Sequence, residues 1–325
     1  MKEIVEKIIE NNYLTTTECQ AIIHSIAEET IHPEQVVAIL TGIQFRGIQL
    51  EEIQGFRSAL LELALPITIS NNAIDLCGTG GDGKNTFNIS TTTSLVMAAM
   101  NYKVIKHGNY GVSSSCGSSN VLEELGFRFS NESHTLQNQL DTLNICFLHA
   151  PLFHPTLKKV ASIRTNLGIR TIFNSLGPLV NPCQPTHQMT GTYSLELAKI
   201  YHHVLKNERE NYKVMYGLDG FDELTLSNST RLLGKREDVI RSAKNYNVAP
   251  INSERLHGGK TLYHSAKMVK EIIAGKGSEE QTNVIAANCA EAITCINPSI
   301  ELMDAFNESL TFIRSGQTIK HFKLN

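Results

Sequence analysis

A chain of 325 residues with 41% hydrophobic side chains can bury a substantial core, and its length suits two domains. Its formal charge of -3, with no Lys/Arg cluster, excludes the broad basic stripe that a nucleic-acid surface needs, so any anion it binds is captured locally. The longest apolar runs, such as Leu95 to Met100, fall far short of the roughly 20 residues that span a bilayer. Seven cysteines, odd in number, form no CxxC pair and no basic-then-apolar leader precedes them, which points to reduced thiols in a cytoplasm.

The first stretch reads as helices only. Thr15-x-x-Glu18 is a capping-box pattern, Pro33 sits where a first helical turn tolerates it ahead of Glu34 to Leu40, and Leu50 to Leu65 carries apolar residues at helical spacing (Ile53, Phe56, Leu60, Leu63) before Pro66. From Ala73 the texture changes to short apolar runs of β type: 73–77, 102–105, 145–149, 188–193 and 212–216. Helices fit between them at 91–100, 119–125, 155–167 and 195–205, and again in the tail at 265–274, 283–293 and 299–315. The alternation predicts an α/β fold: a small all-helical N-terminal domain, residues 1–68, and a larger α/β domain, 69–325, with a mainly parallel central sheet flanked by helices.

The segment from Asp75 to Thr91, DLCGTGGDGKNTFNIST, follows a strand and precedes a helix, so it sits at the carboxyl end of a strand, where open α/β sheets bind ligands. Gly78, Gly80 and Gly83 satisfy the dinucleotide pattern G-x-G-x-x-G. Eight residues then intervene before the helix, and the next strand ends in Lys106-His107 rather than an acid, so the pattern fails. A P-loop fails as well, because Asn85 stands where Ser or Thr must hold magnesium. What survives is a cradle for phosphate or pyrophosphate: glycine backbone N–H groups, then Thr86, Asn88, Ser90 and Thr91 as small donors before a helix amino end. A tight turn with a Ser/Thr cap explains one or two of these residues, not the whole set. The loop from Lys106 to Asn120, KHGNYGVSSSCGSSN, again lies between strand and helix, and adjacent strands would bring both loops to one rim as a second anion cradle.

Together GTGGDG (78–83), NIST (88–91), KHGN (106–109), the serine-glycine run 113–118 and RTNLGIRTIFNSLGPL (164–179) resemble the anthranilate phosphoribosyltransferases, and the similarity extends to the helical start at 42–55. The resemblance implies transfer of phosphoribosyl from phosphoribosyl pyrophosphate to anthranilate with release of pyrophosphate, the second step from chorismate towards tryptophan. It also implies a homodimer formed through the helical domain, and a segment around 160–182 that packs with that domain or forms the hinge. By the same resemblance Gly78, Gly81, Asp82, Thr86, Asn88, Ile89, Ser90, Thr91, Lys106, His107, Gly108, Asn109, Tyr110, Gly111, Val112, Ser113, Ser114 and Ser118 would hold the phosphoribosyl donor. Gly78, Asn109 and Arg164 would touch anthranilate, and Ser90, Asp222 and Glu223 would bind magnesium, two ions per monomer.

These roles agree with the chemistry of the residues. A guanidinium can grip a carboxylate in a bidentate fork, although a surface arginine paired with an acid is the common alternative for Arg164. Asp222 and Glu223 follow the strand 212–216 in a glycine-containing loop that lets both turn towards one hard cation; alone, such a pair is as often an acidic surface turn. His107 lies near the acceptor, or serves as a structural histidine at a strand end, and no acid–base residue is assigned. Asn120, Tyr110 and Tyr216 depart from the aspartate, arginine and histidine common in the family. A pyrimidine nucleoside phosphorylase-like enzyme and a non-catalytic nucleic-acid-binding relative on the same fold are the competing readings. KHGN with the 170–182 segment weighs against the first, and Asp222, Glu223 and Arg164 with the net acidic charge weigh against the second.

Overall fold

A computed structural model describes residues 1–111 and 116–324. Four helices open it: α1 (Lys2–Ile9), α2 (Thr16–Ala27), α3 (Pro33–Arg46) and α4 (Leu50–Glu62). The capping box at α2 forms as its sequence predicts, with Thr15 Oγ1 accepting from the Glu18 N–H at 3.2 Å and the Glu18 carboxylate accepting from the Thr15 N–H at 2.7 Å. α4 ends short of the predicted Leu65 because the Leu65 N–H donates to the Phe153 carbonyl at 2.8 Å instead of extending the helix.

The remainder alternates as expected. In chain order it contains β1 (Ile74–Gly78), α5 (Ile89–Ala99), β2 (Val104–Gly108), α6 (Ser118–Glu124), α7 (Ser133–Thr142), β3 (Ile145–His149), α8 (Ala150–Phe153), α9 (Pro155–Lys159), α10 (Ala161–Leu167), α11 (Ile172–Leu176), β4 (His187–Gly191), α12 (Leu195–Leu205), β5 (Asn211–Gly217), β6 (Thr230–Gly234) and β7 (Asp238–Arg241). The tail adds α13 (Leu262–Ile273), α14 (Glu279–Ile296), α15 (Leu302–Arg314) and α16 (Gln317–His321). One seven-stranded sheet runs β3-β2-β1-β4-β5-β6-β7, parallel through β5 and antiparallel for β6 and β7, two strands that the apolar pattern does not reveal. The single helix expected over 155–167 is broken at Val160, which turns inward to 2% exposure and joins the core of the N-terminal helices.

Among the described residues two large hydrophobic cores meet at the sheet, with a smaller cluster of Ile105, Leu136, Leu140, Cys146, Leu148 and Phe153 at its β2–β3 end. One packs α5, α13, α14 and α15 on one side; the other joins α1 to α4 with Val160, Ile172, Phe173, Leu176 and Leu179, with α12, and with Tyr212, Val214 and Leu233 of β5 and β6. α5 is buried although it reads Ser-Thr-Thr-Thr-Ser, because Thr92, Thr93 and Ser94 donate to the carbonyls four residues back at 2.7–2.8 Å. Among the described residues no helix is long and apolar enough to cross a membrane.

Where β5, β7 and α14 meet, the fully buried Glu291 accepts from Lys213, from Arg241 Nε at 2.9 Å and from the Tyr246 hydroxyl at 2.6 Å. Burial raises the carboxyl's pKa, but Lys213 and Arg241 outweigh burial and hold it below its ordinary value. Removing one charge from such a cluster strands the others in the interior. Glu291→Gln should therefore cost about 3 kcal/mol in urea unfolding, and an unchanged midpoint would show that the cluster is not sealed from water.

Candidate active site

The sheet order reverses beside β1, whose neighbours are β2 and β4, and the loops after β1, β2 and β5 collect at the carboxyl ends of those strands. They line a cavity of about 520 Å³ that is closed on its other side by residues of α9 to α11 and of the loop after α11. The first loop turns through Gly80, Gly81 and Gly83, each with φ between +62° and +76°, a region that residues with a Cβ adopt rarely.

The acidic turn reaches this loop by crossing the end of β4. Gly191 pairs with Gly78, and a Cβ at 191 would lie 1.4 Å from the Asp222 carbonyl oxygen, so only glycine leaves the turn its path. Past Gly220, at φ +87°, the two carboxylates diverge. Asp222 Oδ2 accepts from the Gly80 N–H at 2.7 Å and from the Thr79 hydroxyl at 3.4 Å. Glu223 accepts from the Thr86 hydroxyl and from the Ser90 N–H, both at 3.1 Å, where the first turn of α5 presents its amides. Burial, followed by neighbouring carboxylates that include Asp82, raises the pKa of both. Neither has an ion pair among the described residues. Such a set of hard oxygens, short of positive charge, fits a divalent cation. Among the described residues no three His, Cys, Asp or Glu side chains form a metal cage, so the remaining ligands would be hydroxyl, water or substrate oxygens, which is the usual state of magnesium.

Gly78, Gly81, Asp82, Thr86, Asn88, Ser90, Thr91, Lys106 to Gly111, Ser118, Arg164, Asp222 and Glu223 all line the cavity. Ile89 does not: it is fully buried in the core under α5. Val112, Ser113 and Ser114 lie outside the described residues. Lys106 differs from an open anion cradle. Its ammonium is buried under the cavity floor, donating to the Leu76 carbonyl and to Ser90 Oγ at 3.5 Å, because β2 lies flat against β1 there. The Thr91 hydroxyl is buried at the cavity wall without a hydrogen-bond partner among the described residues.

Arg164 has no acidic partner among the described residues. Its buried Nε has no hydrogen bond, and its guanidinium stands 5.7 Å from the centroid of the Phe173 ring. Beside it Leu157, Pro178 and Val180 make an apolar wall. His107 donates from Nδ1 to the Gly177 carbonyl at 3.1 Å, and its buried Nε2 has no partner among the described residues. Asp75, named in the sequence only as the start of the glycine loop, is buried and holds this wall in place. It accepts from Asn181 at 2.9 Å and from the His107 N–H, and Asn181 also donates to the Ile105 carbonyl. Ser265, another lining residue, gave no signal in the sequence; it reaches the rim because the Phe87 N–H bonds the Leu256 carbonyl at 2.8 Å and so docks the 256–265 segment on the first loop.

Residues 70–319 match the glycosyl transferase family a/b domain and residues 2–64 its helical bundle domain. The chain is 43% identical to the anthranilate phosphoribosyltransferase of Christiangramia forsetii, over 99% of this chain and 98% of that one, and 44% identical to the Flavobacterium johnsoniae enzyme, over 98% and 97%. It belongs to the anthranilate phosphoribosyltransferase family. The Thermus thermophilus anthranilate phosphoribosyltransferase superposes with a TM-score of 0.89 at 27% identity, covering 98% of this chain and 97% of that one. The Saccharomyces cerevisiae enzyme, in complex with phosphoribosyl pyrophosphate and magnesium, shares the fold at a TM-score of 0.89 and 24% identity, over 99% and 95%.

One histidine of this family member has a measurable signature. Burial above all, with His154 next to it, pushes the His107 pKa from 6.5 down to about 3. Between those values the unfolded chain binds a proton that the folded chain refuses, so the stability His107 confers is full above pH 6.5 and drains away as pH falls. His107→Gln should flatten the acid limb of the unfolding free energy by about 1.4 kcal/mol per pH unit. An unchanged slope would mean that the imidazole is solvated.

Proposed function

We propose that this protein transfers the phosphoribosyl group of phosphoribosyl pyrophosphate to the amine of anthranilate and releases pyrophosphate. The observation that carries this reading is one cavity with two chemistries. Glycine-loop amides, small hydroxyls and a carboxylate pair meet the needs of a phosphorylated sugar. An unpaired arginine set in an apolar wall meets those of a flat aromatic acid. We read residues 1–68, with the segment around 160–182, as a helical domain on the acceptor side and 69–325 as the donor side.

The glycine-loop amides and the amino end of α5 would hold the donor's phosphates, with Thr91 among the donors. Arg164 would take the anthranilate carboxylate in a bidentate fork while Phe173, Leu157, Pro178 and Val180 cover the ring. His107, neutral at physiological pH and donating from Nδ1, offers Nε2 as an acceptor for the amine N–H, which orients the nitrogen lone pair without removing a proton. Ser90, at the start of α5, would bind magnesium together with Asp222 and Glu223 of the β5 loop, Glu223 lying against the Ser90 N–H, and we read two ions per monomer. When bound, the metal supplies positive charge to the departing diphosphate. We also propose a cytoplasmic homodimer. Its seven free cysteines suit a reducing compartment, and Ile9, Tyr13 and Phe45, 78%, 50% and 94% exposed on the N-terminal helices, offer an apolar face for a second copy.

Mixing the protein with anthranilate, phosphoribosyl pyrophosphate and magnesium should quench anthranilate fluorescence; a phosphorylase would instead release base from a pyrimidine nucleoside. In that assay Arg164→Ala should raise KM for anthranilate about ten-fold or more and leave KM for the donor nearly unchanged. Equal effects on both substrates would remove the carboxylate role. The double variant Asp222→Ala, Glu223→Ala should lose most turnover together with its response to magnesium, and full activity there would place the metal elsewhere.

A further inference from the structure

One asparagine side chain meets the backbone at both ends of the loop after β2. Asn120, in the first turn of α6, accepts at one Oδ1 atom from the Gly111 N–H and from the Gly117 N–H, both at 3.0 Å. The backbones around it abut. A Cβ on Gly117 would lie 2.2 Å from the Gly111 nitrogen and 2.7 Å from the Asn109 carbonyl oxygen, and that oxygen also accepts from the Ser119 N–H at 3.2 Å and the Ser118 hydroxyl at 3.4 Å. Asn109, Tyr110 and Gly111 line the cavity from one end of the loop, and Cys116, Gly117 and Ser118 line it from the other.

The requirement at position 120 is therefore narrow. An oxygen with two lone pairs can take both donors; a side chain of the same size without one leaves two N–H groups unpaired and removes what draws the ends together. Tyr110, from the outer side, donates its hydroxyl to Glu123 at 3.0 Å and stands edge-on to His149, so it braces the loop without replacing this contact.

We infer that Asn120 is a positioning residue for phosphoribosyl pyrophosphate: it sets the spacing between the two lengths of backbone that wall the donor half of the cavity, and touches no reacting atom. This rests on the phosphoribosyl-transfer reading. Arg164 and the apolar wall lie on other elements and do not depend on it.

The experiment is steady-state kinetics on the intact protein, with both KM values and kcat measured for the unaltered chain, Asn120→Leu, Asn120→Ala and Asn120→Asp, alongside thermal melting. If the unaltered chain does not consume anthranilate, the phosphoribosyl-transfer reading fails, and the inference with it. If it does, Asn120→Leu and Asn120→Ala should raise KM for phosphoribosyl pyrophosphate about ten-fold and KM for anthranilate by clearly less, since of the residues expected to touch anthranilate only Asn109 stands on this loop, with kcat within about two-fold. Asn120→Asp, which keeps an oxygen at the same place, should restore the donor KM. The inference is overturned if the leucine and alanine variants bind donor normally, if both KM values rise together, if aspartate does no better than alanine, or if neither apolar variant folds, since the residue would then serve the fold rather than the donor.

Discussion

The site depends on backbone passing over backbone at the end of β4. Asp222 and Glu223 can meet the glycine loop only because nothing projects from Gly191, and the loop in turn gives its Gly80 N–H to Asp222. Parallel pairing of β1 with β2 and with β4 places three loops at one rim, while the antiparallel strands β6 and β7 extend the sheet away from it. The chemistry is thus anchored at the ends of paired strands.

Charge is distributed unevenly over this frame. Away from the cavity one buried cluster joins acid and base, Lys213 and Arg241 with Glu291. In the cavity, among the described residues, pairing is left incomplete: two carboxylates have no cation, one arginine has no acid, and a threonine hydroxyl and an imidazole nitrogen have no partner. Buried polar groups without partners cost free energy in the ligand-free protein, and a doubly phosphorylated sugar, a metal and an aromatic acid would relieve those costs. Lys106 and Asp75 form a second layer beneath. The lysine braces Ser90 and the β1 carbonyl, and the aspartate fixes the loop around Asn181, so the site's floor is itself polar but satisfied.

Much of this was legible in the residues. Glycine-rich and Ser/Thr-rich loops announce strand ends and helix starts through local backbone chemistry, and strands 145–149 and helix 195–205 fall where their apolar periods place them. Ile89 was misplaced because motif letters do not tell which face of a helix each side chain takes. Lys106 was expected in an anion cradle, and its ammonium is instead buried against the Leu76 carbonyl and Ser90, while the helix over 155–167 was read as continuous although Val160 breaks it to reach the core of the N-terminal helices.

Local pattern by itself determined the helical start, the alternation of strand and helix and the two glycine- and serine-rich loops between strand and helix, because those rest on interactions within a few residues; Arg164 stood out only through the family resemblance. Only the tertiary structure decided the strand order, the antiparallel edge, the passage of the acidic turn over Gly191, the docking of Ser265 and the two-donor role of Asn120. Each of these is a contact between segments whose meeting is set by packing, and a chain read one residue at a time carries no distance between them.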